Sequence, residues 1–139
     1  MALPSIGGGR QFGDGNLSEA VIGTMSAPAT MTDTGTISAA SIANGLIVGT
    51  PTAAATYTTT TGTLLDATFV NAKVGSSVDF YIVNVATNSS YDITVAAGTG
   101  VTLVGGLEVS SNNAVTDRSA GHFRAYRTAA ATWTIYRIS

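Results

Sequence analysis

Between residues 78 and 110 the chain alternates in polarity. Tyr91, Ile93, Val95 and Ala97 fall on one parity, and Asp92, Thr94 and Ala96 on the other. Successive side chains of an extended strand point to opposite faces, so this alternation marks a strand with one face turned inward. Val101 and Leu103 flank Thr102 in the same way, and Leu107 and Val109 flank Glu108. Upstream, residues 78–85 are rich in β-branched and aromatic side chains. Asn and Ser fill the break at 86–90, and Gly fills those at 98–100 and 105–106. The pattern predicts an antiparallel meander over 78–110.

Residues 121–138 predict a closing hairpin that turns at Ala129, Ala130 and Ala131. Phe123, Ala125 and Arg127 share one face of its first strand, and His122, Arg124 and Tyr126 the other. The returning strand places Trp133 and Ile135 on one face, Tyr136 and Ile138 on the other. Large groups on both faces imply a sheet covered on both sides, by a second sheet and by a neighbouring molecule.

Earlier in the chain the signals are shorter. Threonine alternates through residues 30–36, as on an edge strand with a wet face. Residues 38–45 read as one helical turn with a Ser38 cap and an Asn44-Gly45 stop. Residues 46–50 form a short buried strand broken by Pro51, and 53–60 resume it. Leu64, Leu65, Thr68 and Phe69 have helical spacing behind a cap at Thr61 or Thr63. Many short strands with at most two brief helices predict an all-β fold, an antiparallel β-sandwich or barrel of jelly-roll-like kind.

Residues 1–35 contrast with this. Gly7-Gly8-Gly9 and Gly13-Asp14-Gly15 are turn-prone, and apolar residues are sparse. Phe12, Leu17 and Ile22 are spaced as anchors, which favours an extended N-terminal arm lying along a partner. The expected organisation is an arm at 1–35 and a β-domain at 36–139.

Composition sharpens this picture. Charged residues are 10% of the 139-residue chain, against about 25% in an average domain. The surface is therefore covered by Thr, Ser, Asn and Gly, or by another subunit. A net charge of −2 supplies no basic field for nucleic acid. The absence of Cys removes disulfides and thiolate metal sites. The N-terminus lacks the basic and apolar regions of a secretory signal, and the longest apolar run falls far short of a membrane span. Synthesis in a cytoplasm, without membrane partners, is expected.

Catalytic and cofactor signals are weak. Asp14, Asn16 and Ser18 imitate the start of a calcium loop, but Glu19 stands where Gly is required and Met25 where a bidentate Glu is required. Gly7-Gly8-Gly9-Arg10 lacks the Lys-Ser/Thr of a phosphate loop. His122 is the only histidine, and its bland reading is a hydrogen-bonded residue at a strand end. The eight carboxylates are scattered. We expect no enzyme activity, no metal and no cofactor; a hydrolase ranks last.

The most suggestive cluster is Arg124, Tyr126, Arg127, Trp133, Tyr136 and Arg137. Arginine and aromatic residues are enriched at protein interfaces. An inter-subunit contact ranks first, a stacking platform for sugar or base second and a solvated sheet edge third.

Five segments carry a resemblance. They are Gly9-Arg10-Gln11-Phe12-Gly13-Asp14-Gly15-Asn16-Leu17-Ser18-Glu19; Ile47-Val48-Gly49-Thr50-Pro51-Thr52-Ala53-Ala54-Ala55-Thr56-Tyr57-Thr58; Val74-Gly75-Ser76-Ser77-Val78-Asp79-Phe80; Ala96-Ala97-Gly98-Thr99-Gly100-Val101-Thr102-Leu103-Val104-Gly105; and Gly121-His122-Phe123-Arg124-Ala125-Tyr126-Arg127. Together they resemble small virion proteins of tailed phages, marine and cyanobacterial ones especially, of the capsid decoration or cement kind. The resemblance implies a homotrimer on a capsid surface, assembled in the host cytoplasm, with the major capsid protein as partner. The alternative is a receptor- or glycan-binding knob on a tail or fibre, with Trp133, Tyr136 and Tyr126 stacking on sugar.

Overall fold

The computed structural model describes residues 23–112 and 119–139. Expectations that fall on residues 1–22, including those for Phe12, Leu17, Ile22 and the calcium-loop imitation at Asp14, lie outside these. In chain order the elements are β1 (Ala29–Met31), β2 (Gly35–Ile37), α1 (Ala39–Asn44), β3 (Leu46–Gly49), β4 (Ala55–Thr59) and α2 (Gly62–Thr68). They continue as β5 (Ser77–Asn84), β6 (Ile93–Ala96), β7 (Val101–Val104), β8 (Glu108–Val109), β9 (Ala120–Ala129) and β10 (Thr132–Arg137).

Both helices form where caps and spacing direct. Ser38 is extended, and its hydroxyl accepts from the Ser41 amide. Gly45, at φ 90°, ends α1 in the left-handed region that glycine adopts without strain. Thr61 caps α2 by accepting from the Leu64 amide, and α2 buries Leu65.

Most strands lie where alternation puts them, but the run at 30–36, expected as one edge strand, splits into β1 and β2 at the edges of different sheets, and the strand partners differ from the expected meander. One sheet has six strands in the order β1-β3-β5-β9-β10-β7, and the other four in the order β2-β4-β6-β8. From β1 to β8 the chain changes sheet at every strand. The successive turns β1–β2, β3–β4 and β5–β6 stack in parallel within each sheet. β8 then runs antiparallel to β6, and the β9–β10 hairpin closes the larger sheet between β5 and β7. The antiparallel β-sandwich or barrel is thus corrected to a mixed fold of two sheets, each with parallel and antiparallel pairs, plus two short helices. Of the runs in 78–110, only β6 and β8 pair with each other.

The reason lies in the links. Alternation fixes which side chains point inward, not which strand lies alongside. The turn after β6 presses on the end of β4, so close that a Cβ on Gly98 would sit 2.3 Å from the Thr59 carbonyl oxygen. The Gly98 amide also donates to the Thr59 hydroxyl. The chain is thereby steered across to the other sheet instead of back along β6.

The core lies between the sheets. Ile47, Phe80, Ile82, Phe123, Trp133 and Ile135 from the larger sheet meet Ile37, Tyr57, Ile93, Val95 and Val109 from the smaller, with Ile42 and Leu65 from the helices. A Cβ on Gly49 would lie 2.5 Å from Ile93 and 2.8 Å from the Tyr57 hydroxyl, so glycine there makes room for the buried Tyr57 ring. That hydroxyl donates to the Met31 carbonyl at 2.9 Å.

Candidate functional site

Two charged assemblies stand out, one under α2 and one on the outside of the larger sheet. Under α2, Asp66 receives four donors. Arg127 Nε and Nη2 approach its two oxygens at 2.8 and 2.7 Å, and Trp133 Nε1 and the Ala131 amide approach at 2.8 Å each. Arg127 Nη1 donates to the Ala72 carbonyl. The hydrogen bonds from Arg127, then from the Ala131 amide, hold the Asp66 carboxyl far below the usual carboxylate range. The assembly fastens α2 and the segment after it to the β9–β10 hairpin. It is structural, with every participating group occupied.

The second assembly sits among exposed apolar residues. Register defines four rows across the outer face of the six-stranded sheet. Thr30, Val48, Val83 and Ala120 form one row, and Leu46, Tyr81 and His122 the next. Asp79, Arg124, Tyr136 and Val104 form the third, and Ser77, Tyr126, Thr134 and Thr102 the fourth. Asp79 accepts from Arg124 Nε and Nη2 at 2.7 and 2.9 Å and contacts His122 Nε2 at 2.9 Å. The Arg124 fork leads in holding Asp79 at about 2, with His122 assisting and desolvation opposing. The His122 ring stacks on Tyr81 with centroids 4.5 Å apart.

Nothing among the described residues covers this face. Tyr81 is 45% exposed, Val104 45% and Tyr136 38%. The smaller sheet shows what a water-facing surface looks like in this chain. Its outer side carries Thr36, Thr58 and Ala96 in one row and Thr56, Thr94 and Glu108 in the other.

Of the residues singled out from sequence, Arg124, Tyr126 and Tyr136 lie together on the uncovered face. Arg127 and Trp133 point inward to Asp66, and Trp133 is 1% exposed. Arg137 also faces inward: it sits over the Phe123 ring and donates to the Glu108 and Ser139 carbonyls. Sequence reasoning missed Leu46, Val48, Asp79, Tyr81, Val83 and Val104. The signal was present, because the runs 46–48 and 80–83 are apolar on both parities, as in strands covered on both faces.

Among the described residues no three His, Cys, Asp or Glu side chains gather as metal ligands. No helix among them is long and apolar enough to cross a membrane. The open clefts beside Thr50–Thr52 and beside Phe69–Ala72 are lined without any carboxylate, cation or histidine. No protein-family model, curated protein or solved structure matches the chain.

Proposed function

We propose that this protein is a structural component of a virion that decorates and cements the capsid of a tailed phage. The supporting observation is the outer face of the six-stranded sheet. Its parallel strands β3 and β5 carry Leu46, Val48, Tyr81 and Val83 on a side that no described residue covers. Parallel strands are ordinarily covered on both faces. On the proposed reading another protein surface supplies that cover, and a chain with 10% charged residues suits permanent assembly.

The sequence resemblance supplies the capsid as the setting. Cementing needs only selective binding: a protein that attaches to the assembled shell and not to its separated parts stabilises the shell by mass action. Shells carrying the protein are expected to withstand higher temperature than shells stripped of it. Equal heat resistance contradicts the reading. The glycan-knob alternative loses its main platform, because Trp133 lies in the core with its indole N–H committed to Asp66.

A further inference from the structure

We infer that the uncovered face of the six-stranded sheet pairs with the same face of a second copy, about a two-fold axis running along the strands between β5 and β9. The inference rests on reading this face as a protein interface, and it names the partner.

β5 and β9 are the middle strands of the six. Asp79 and Arg124 are direct cross-strand partners there, and their side chains remain 33% and 49% exposed. Their charges cancel within the chain, so a partner of net charge gains little. A complementary partner instead presents a base opposite Asp79 and an acid opposite Arg124, about one strand spacing of ~4.8 Å apart. Rotation of the face about the proposed axis does this. It lays Asp79 of each copy over Arg124 of the other, and Tyr81 of each over His122 of the other. A two-fold axis in the face across the strands would instead oppose Asp79 to Asp79.

Facing sheets pack at a small angle set by their twist, which a two-fold axis along the strands accommodates. An interface of this kind is isologous and closes as a dimer. The trimer implied by the sequence resemblance is the competing outcome.

Exchange of charge tests the pairing. Asp79→Arg and Arg124→Asp are made singly and studied by sedimentation, with circular dichroism to confirm folding. Wild type is expected at twice the 14.0 kDa chain mass. Each single variant places like charges across the interface, and its pairing is expected to weaken by ~100-fold or more. Mixing the two variants is expected to restore a pair holding one of each. That rescue has no source inside either chain, since both keep like-charged neighbours internally.

A mixture that stays unpaired overturns the inference, as does a wild type that is monomeric or trimeric. Should a swap fail to fold, Tyr136→Glu, at a 38% exposed position, replaces it: weakened pairing supports the inference and unchanged pairing overturns it. A trimer that still protects shells overturns the pairing and leaves the decoration reading standing. A charge-dependent dimer that protects no shell does the reverse.

Discussion

Arg127 grips Asp66 with both prongs of its guanidinium, Nε at 2.8 Å and Nη2 at 2.7 Å, across the seam between α2 and the β9–β10 hairpin. Sixty-one residues separate the two in sequence. The pair fixes where the short helix lies, because α2 buries few large side chains of its own. A bidentate charge-assisted pair is geometrically demanding, so lysine does not substitute for this arginine. Arg127→Lys is expected to lower the melting temperature, and Arg127→Ala to lower it further. Equal melting of all three proteins contradicts the role.

Acid should release these carboxylates in order. Asp79 is held at about 2 against an ordinary value of 3.8. The folded chain therefore favours the carboxylate more than the unfolded chain does. That contribution is complete above pH ~4 and lost as pH falls from about 4 to about 2. Asp66 is depressed further, so its share begins to go in the same window and continues to be lost at still lower pH. Melting temperature is expected to fall below pH ~4. The gap between wild type and Asp79→Asn is expected to narrow through the same window. A gap independent of pH contradicts the assignment.

Trp133 is the sole tryptophan and is buried, with Phe69 5.8 Å away centroid to centroid. Its emission should be blue-shifted in the folded protein and move to the red on unfolding. Trp133→Ala is expected to cost about 3–5 kcal/mol, the usual range for a large aromatic removed from a core. A red emission in the native state, or a near-neutral substitution, contradicts this placement.

Asn84 ends β5 fully buried, donating to the Tyr91 and Val109 carbonyls and accepting from the Ala86 amide. It ties the larger sheet to the start of the next loop and to β8. Asn84→Leu strands those three backbone groups and is expected to cost about 3 kcal/mol. Denaturant unfolding at constant slope measures it, and a loss under about 0.5 kcal/mol, the size of an ordinary surface substitution, contradicts the role.

Much of the element layout was legible in the residues. Ser38 and Gly45 bracket α1, Thr61 opens α2, and the parity of 91–97 and 121–136 sorts core from surface. Strand partnership was not legible. The register partners Ala29, Ile47 and Ile82 are unequally spaced along the chain, because α1, α2 and loops of different length intervene, so no repeat period betrays the stacked turns. The hairpin cluster divided for a simpler reason. Arg127 and Trp133 share the inward parity with Phe123 and Ile135, and an arginine on that parity signals an internal ion pair, whose acid lies on a helix far upstream. Arg124, Tyr126 and Tyr136 share the outward parity and stay on the surface.

Assembly is expected to cover the outer face of the six-stranded sheet. Oxidative footprinting of Tyr81 and Tyr136 in the assembled protein, compared with the dispersed chain, reads this directly. The expected result is strong protection of both tyrosines on assembly, with the Thr36–Thr58 side of the smaller sheet unchanged in accessibility by hydrogen exchange. Tyrosines that react equally fast in both states, while the protein remains assembled, contradict it.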